Sequence, residues 1–133
     1  MATIRVLLVD DECLVRQVLT RMLTAYPNME VVGEAATGDE AISSVERLQP
    51  HIVVMDIRMP RMDGIEATQQ IKASQPTTVV IGLSVNQSAD TERKMKAAGA
   101  SAYLTKERAV EALCHAIEQA LSSKQHQASG PID

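Results

Sequence analysis

The 133-residue chain has no phenylalanine and no tryptophan, and only two tyrosines. Its core must therefore be aliphatic, built from Val, Ile, Leu, Ala and Met. Only two cysteines occur, Cys13 and Cys114, and they form no CxxC or other close-spaced motif. Each falls in an expected helix, and both are expected to be reduced thiols of a cytoplasmic protein. No apolar run is long enough to cross a bilayer. Met1-Ala2-Thr3-Ile4-Arg5 runs straight into a strand-like segment and does not read as a signal peptide, so no membrane association is expected. Positive charge is scarce as well. Thirteen Lys and Arg against 17 Asp and Glu give a net charge of −4, which argues against a nucleic-acid surface, normally a basic patch. Neither a GxxxxGK[ST] loop nor a GxGxxG turn is present, which removes the common nucleotide cradles.

What the chain does contain is alternation. The length fits one domain. Ile4 to Val9 reads as a buried strand ending at Asp10-Asp11, and Leu14, Val15, Val18, Leu19, Met22 and Leu23 follow at helical spacing. Tyr26-Pro27-Asn28 stops that helix. Val31 to Ala35 reads as a second strand, followed by a helix from Gly38 that carries Ala41, Ile42, Val45 and Leu48. Ile52 to Met55 is an almost wholly apolar third strand. Asp63 is placed to cap the helix that carries Ile65, Ala67 and Ile71. Thr77 to Leu83 reads as the fourth strand, and a helix runs over roughly Asp90 to Ala98 with Gly99 at its end. Ser101 to Leu104 is a short fifth strand. The last helix carries Ala109, Leu113, Cys114, Ile117 and Leu121. Residues 1–121 then form the domain, and 122–133 a disordered tail or the start of a linker. Apolar strands alternating with amphipathic helices mean an α/β protein, a doubly wound five-stranded parallel sheet covered on both faces.

In such a sheet, sites form where the central strands end. Asp10, Asp11 and Glu12 follow the first strand, Asp56 the third, Ser84 the fourth, and Thr105 and Lys106 the fifth. The second strand ends without a comparable group. Taken singly, each of these residues has an ordinary reading: a helix cap, a turn serine, a surface lysine. Together they place three aspartates, a hydroxyl and an ammonium at one edge. Like charges held together raise one another's pKa, and a hard divalent cation such as Mg²⁺ is the natural compensation. The lysine and the hydroxyl suit a phosphoryl group, and an aspartate can be the nucleophile that accepts one.

At this point the chain resembles the receiver domains of two-component response regulators, over about residues 3 to 121. The motifs are Val6-Leu7-Leu8-Val9-Asp10-Asp11, Val53-Val54-Met55-Asp56-Ile57-Arg58-Met59-Pro60, Met62-Asp63-Gly64, Val80-Ile81-Gly82-Leu83-Ser84 and Ala98-Gly99-Ala100-Ser101-Ala102-Tyr103-Leu104-Thr105-Lys106. The resemblance implies a flavodoxin-like fold with strand order 2-1-3-4-5. It implies Asp56 as phosphoacceptor, and Mg²⁺ held by Asp11, Asp56 and the backbone carbonyl of Arg58, with Asp10 completing the acidic pocket through water. It further implies Lys106 as the partner of the acceptor carboxylate or its phosphoryl oxygens, Ser84 as the switch hydroxyl, and Tyr103 as the switch aromatic that turns inward when Ser84 moves. The phosphodonor would be a sensor histidine kinase. Homodimers would form through the first and last helices, or through the face of the fourth helix, fifth strand and fifth helix. Glu34-Ala35-Ala36-Thr37-Gly38 and Thr105-Lys106-Glu107 look like receivers of the LuxR/FixJ type, whose helix-turn-helix output domain would bind DNA and control transcription. That output is absent from these residues, so no nucleic acid is expected to bind them.

Two features depart from the family's common pattern. Lys106 is followed by Glu107 instead of proline, so no cis-proline is available to position the lysine. Val85 stands where relatives tend to have Ala or Gly, and its branched side chain is expected to slow phosphoryl traffic at Asp56. Neither Arg58 nor Asn86 supplies a strong base, so the phosphoryl group is expected to last at least minutes. The polar residues Arg16, Gln17 and Arg21 of the first helix and Glu107, Glu111 and Glu118 of the last are expected to face solvent. The alternative is a receiver-like interaction module that works without phosphorylation. A small Mg²⁺-dependent enzyme such as a phosphatase would need a cap over its site, and no insertion is long enough for one.

Overall fold

The computed structural model describes residues 3–129, with side chains as far as residue 123. Five strands alternate with five helices: β1 (Ile4–Val9), α1 (Cys13–Thr24), β2 (Met29–Ala35), α2 (Gly38–Leu48), β3 (Ile52–Asp56), α3 (Gly64–Ser74), β4 (Val79–Ser84), α4 (Ala89–Ala98), β5 (Ala102–Thr105) and α5 (Lys106–Ser129). The strands form one parallel sheet in the order β2-β1-β3-β4-β5. The expected α/β architecture and strand order are both present.

Side chains along a strand alternate between faces, and the core divides accordingly. Leu7, Val9, Val53, Met55 and Val80 point to one face, where Ala41 and Val45 of α2, Ala67 and Ile71 of α3 and Met95 of α4 cover them. Val6, Leu8, Ile52, Val54, Ile81 and Leu83 point to the other, under Leu19 and Leu23 of α1 and Ala109, Leu113 and Ile117 of α5. Near-continuous apolar strands are thus explained by burial on both sides. Cys114 lies in this second layer, and burial first, then the nearby Glu118 charge, pushes its thiol pKa up. Cys13 is exposed, and neither cysteine is in a disulfide.

Several boundaries differ from the sequence reading. β2 starts at Met29, two residues early, because Ile4 and Arg5 of β1 pair with Met29 and Glu30. β4 starts at Val79, since Thr78 N–H donates to the Gln75 carbonyl and closes a turn, and it ends at Ser84, which pairs with Thr105. Ser84 therefore belongs to the strand. α5 continues to Ser129, so the backbone of residues 122–129 is helical where a disordered tail or linker is expected. Nothing there breaks a helix before Gly130-Pro131. Residues 130–133 of that expected tail lie outside the described residues. Leu14 and Val18, read as apolar-face positions of α1, are 74% and 50% exposed. α1 meets the sheet through Leu19 and Leu23 instead.

Caps lie where the sequence places them. Asp63 accepts from Glu66 N–H at the start of α3, and Gly99 ends α4 with φ +121°, a conformation that favours glycine. Gly64 has a different task. A Cβ there would lie 2.3 Å from the carbonyl oxygen of Asp56 and 2.8 Å from Ile57 Cα. Only a glycine lets the loop after β3 fold back this close to the strand end. Replacing Gly64 by Ala must therefore move backbone, and a cost of about 1–3 kcal/mol is expected. A urea midpoint unchanged from the parent would contradict this reading of Gly64.

Candidate functional site

The sheet register assembles the site. β1 pairs with β3 so that Val9 opposes Met55, and the next residues on the two strands are Asp10 and Asp56. On β3's other side Asp56 opposes Leu83, so Ser84 stands one step further on. Ser84 opposes Thr105, and Lys106 follows immediately as the first residue of α5. The site lies where the strand order reverses, with β1 leading outward to β2 and β3 leading to β4. This is the usual crevice of an open α/β sheet.

Asp10 and Asp56 are each only 1% exposed, whereas Asp11 and Glu12 face solvent. One ligand atom from each of Asp10, Asp11 and Asp56 lies within 4.8 Å of the others. Lys106 reaches into this group from α5. Its Nζ is 2.9 Å from Asp10 Oδ2, 3.4 Å from Asp56 Oδ1 and 3.3 Å from Glu12 Oε1. Burial opposes the Lys106 charge, but the contacts with Asp10, Asp56 and Glu12 outweigh it and hold the lysine above its usual pKa. For Asp56 the balance goes the other way. Burial is the largest cause and the Asp10 charge the next. Against the pull of Lys106, they raise its carboxyl to about 7 from an ordinary 3.8.

The same crowding defines what the pocket can hold. Asp56 Oδ2 is buried with no hydrogen-bond partner, an arrangement that normally costs free energy. Three carboxylates around an unpartnered oxygen form a donor set suited to a hard cation such as Mg²⁺. Arg58 is exposed in the loop two residues beyond Asp56.

The hydroxyl side of the site forms its own network. Ser84 Oγ donates to the Asn86 carbonyl at 2.6 Å and is 2.7 Å from the Tyr103 hydroxyl. That hydroxyl also donates to the Asn86 carbonyl at 3.1 Å. Tyr103 is 9% exposed, so its ring is already turned inward and held by Ser84. Asn86 takes part through its backbone, a role its side-chain type could not reveal. Val85, between them, is 64% exposed. No cis peptide is present at Lys106-Glu107, and Thr105 Oγ1 accepts from Arg108 N–H to cap α5.

Residues 6–118 match the response regulator receiver domain family. The chain belongs to that family. As a receiver it is 36% identical over 123 residues to the response regulator GacA of Pseudomonas protegens, covering 92% of this chain and 58% of that protein. It is 46% identical over 106 residues to protein-glutamate methylesterase/protein-glutamine glutaminase 3 of Anaeromyxobacter dehalogenans, covering 79% of this chain and 31% of that one. Among solved structures, a LuxR-family two-component response regulator from Aurantimonas sp. superimposes with a TM-score of 0.88 at 36% identity, over 92% of this chain and 87% of that one. The response regulator domain of Thermotoga maritima CheB gives 0.85 at 34%, over 90% and 97%. The receiver thus spans little more than half the length of the GacA relatives. Its place is in two-component signalling, where receivers work by phosphorylation. Among the described residues no helix is long and apolar enough to cross a membrane.

The raised Asp56 pKa has a consequence for stability. The folded value of about 7 lies above the ordinary 3.8, so ionisation of Asp56 opposes folding. The penalty is absent below about pH 4, grows to about pH 7 and is constant above it. Its ceiling is about 4 kcal/mol, reduced by solvent screening at the pocket mouth. In chelator, Asp56→Asn is expected to melt above the parent, by a wider margin at pH 7.5 than at pH 5. Equal margins at the two pH values would contradict the assignment.

Proposed function

We propose that Asp56 accepts a phosphoryl group from the phosphohistidine of a sensor histidine kinase. The observation that carries this is the buried Asp56 carboxylate, with one oxygen 3.4 Å from Lys106 and the other unpartnered. In the transfer, an Asp56 oxygen forms a bond to phosphorus while the phosphorus–nitrogen bond to the histidine breaks, and its electron pair returns to the imidazole. Asp11, Asp56 and the Arg58 carbonyl would hold Mg²⁺, with Asp10 reaching it through water. When bound, the ion neutralises charge on the transferring oxygens. Lys106 supplies the second positive charge to those oxygens. Ser84 gives up the Asn86 carbonyl to donate to the phosphoryl group, and Tyr103 follows its movement as the switch aromatic.

The domain on this reading phosphorylates itself from a donor and loses the group slowly, and it has no other catalysis. Arg58 and Asn86 are both exposed near the pocket, but neither is a strong base, which supports a phosphorylated state lasting minutes or more. The kinase has to approach Lys106. An apolar groove of about 200 Å³ lined by Leu14, Val18, Leu83, Lys106 and Val110 supports docking there. The same α1–α5 seam supports homodimerisation better than the α4 face. On α4, Asp90 pairs with Arg93 and Lys94, and Glu92 with Lys96. Residues 1–121 would act as the receiver of a cytoplasmic regulator, with residues 122–133 leading to a DNA-binding output of LuxR/FixJ type that controls transcription.

Intact mass after incubation with acetyl phosphate and Mg²⁺ tests the core of this reading. The parent is expected to gain one phosphate and Asp56→Asn none, while Lys106→Ala slows the gain by about 100-fold. No gain on the parent, even with a cognate kinase, would favour an interaction module independent of phosphorylation. Val85→Ala is expected to speed both gain and loss of the group, since the smaller side chain opens the approach. Rates equal to the parent's would remove any role for Val85.

A further inference from the structure

Arg16 is not the solvent-facing helix charge its position on α1 suggests. Its side chain is 16% exposed and lies back along the start of the helix. Nη1 donates to the Asp10 carbonyl at 2.6 Å, and Nε donates to Glu34 Oε1 at 2.7 Å. Glu34 belongs to β2, the strand with no functional group at its end. The following residue, Ala35, accepts the Asp10 N–H at 3.0 Å. Asp10 is therefore held to two consecutive residues of the edge strand. One link is direct, through its amide, and the other passes through the guanidinium to Glu34.

We propose that Arg16 and Glu34 form a clamp that orients the Asp10–Asp11 turn and so sets the affinity of the acidic pocket for a divalent cation. This rests on the metal reading above. A peptide unit is planar, so fixing the Asp10 carbonyl also fixes the direction in which the Asp11 N–H and Cα leave it. Asp11 is the exposed member of the acidic group and follows the last residue of β1 by two. Past the end of β1 the turn is held by Asp10 Oδ1, which accepts from Glu12 N–H at 2.8 Å, and by Arg16 on the Asp10 carbonyl, which sets the carbonyl's direction where the side-chain contact does not. A forked guanidinium can bond two acceptors in fixed geometry, which a lysine cannot reproduce. Neither residue touches the site where a phosphoryl group would sit, so both are positioning residues. An isolated, exposed Arg–Glu pair would be worth little. This one differs because the same guanidinium holds a backbone carbonyl beside a buried carboxylate.

The test uses the full chain and Mg²⁺ alone, titrated while amide NMR shifts around Asp56 are followed. Melting temperatures in chelator report folding separately. Groups that orient metal ligands typically contribute 10- to 100-fold in affinity. Arg16→Ala is expected to bind Mg²⁺ about tenfold more weakly. Arg16→Lys should fall between it and the parent, and Glu34→Gln should shift the same way by less. The double variant Arg16→Ala, Glu34→Gln should be no weaker than Arg16→Ala alone, since both act through one contact. Parent-like affinity in Arg16→Ala overturns the clamp, whatever happens to the melting temperature. Fully additive losses overturn it too, because Glu34 would then act by another route. If Arg16→Ala fails to fold, Arg16→Lys carries the comparison, since it keeps the stem and the charge but loses the fork. A parent that takes up no Mg²⁺ removes the metal reading and this proposal with it, whereas a parent that binds beside an unaffected variant removes the clamp alone.

Discussion

Two carboxylates that emerge side by side from neighbouring strands, shielded from water, repel each other. Much of the structure around Asp10 and Asp56 answers that repulsion. The parallel register makes them neighbours, because Val9 opposes Met55 and each strand continues into an aspartate. Lys106 is the nearest cation and touches Asp10, Asp56 and Glu12 at once. One ammonium cannot neutralise three acids, and the pocket keeps a surplus of negative charge with a buried oxygen left over. A site in that condition favours whatever brings positive charge or consumes a carboxylate. A bound cation would do the first and protonation the second, whereas a phosphoryl group on Asp56 would add negative charge and so deepen the demand for a cation.

Much of this was legible in the sequence, and the reasons are physical. Strands buried on both faces must be apolar, so Ile4–Val9 and Ile52–Met55 announced themselves. Polar residues directly after such strands must gather at one edge, which groups Asp10, Asp11, Asp56, Ser84 and Lys106 from the sequence alone. What was hidden depends on contacts that periodicity does not encode. Arg16 has the spacing of a surface charge, and only the reach of its side chain to Glu34 and Asp10 shows otherwise. Asn86 contributes a backbone carbonyl to Ser84 and Tyr103, which its residue type does not signal. Leu14 and Val18 fit an apolar face, yet α1 is rolled so that they stay in solvent. The extent of α5 is hidden because a polar run reads as a disordered tail or the start of a linker, although such a run without glycine or proline can remain helical.

The relatives clarify what this pocket leaves open. A response regulator and a methylesterase both match the chain across most of its length, yet it covers only part of either. The matched portion is the receiver, and the rest of each of those proteins lies outside the match. Specificity for partners must then come from surfaces, and the described surface is uneven. The α4 face is laced with its own ion pairs, whereas the α1–α5 seam exposes Leu14, Val18 and Val110. Single exposed apolar residues are common on soluble proteins, but a cluster beside a functional pocket is informative.

Lys106 has one further property. It is the first residue of α5, where the aligned peptide dipoles place partial positive charge. A cation is poorly suited to that position. Here the facing acids of the pocket offset the misfit, with Glu107 in the first turn and the Thr105 cap helping. The helix start and the acidic crevice consequently share one electrostatic account. A cation drawn into the crevice would compete with Lys106 for the same acids, so the backbone at the foot of the longest described helix is tied electrostatically to the pocket.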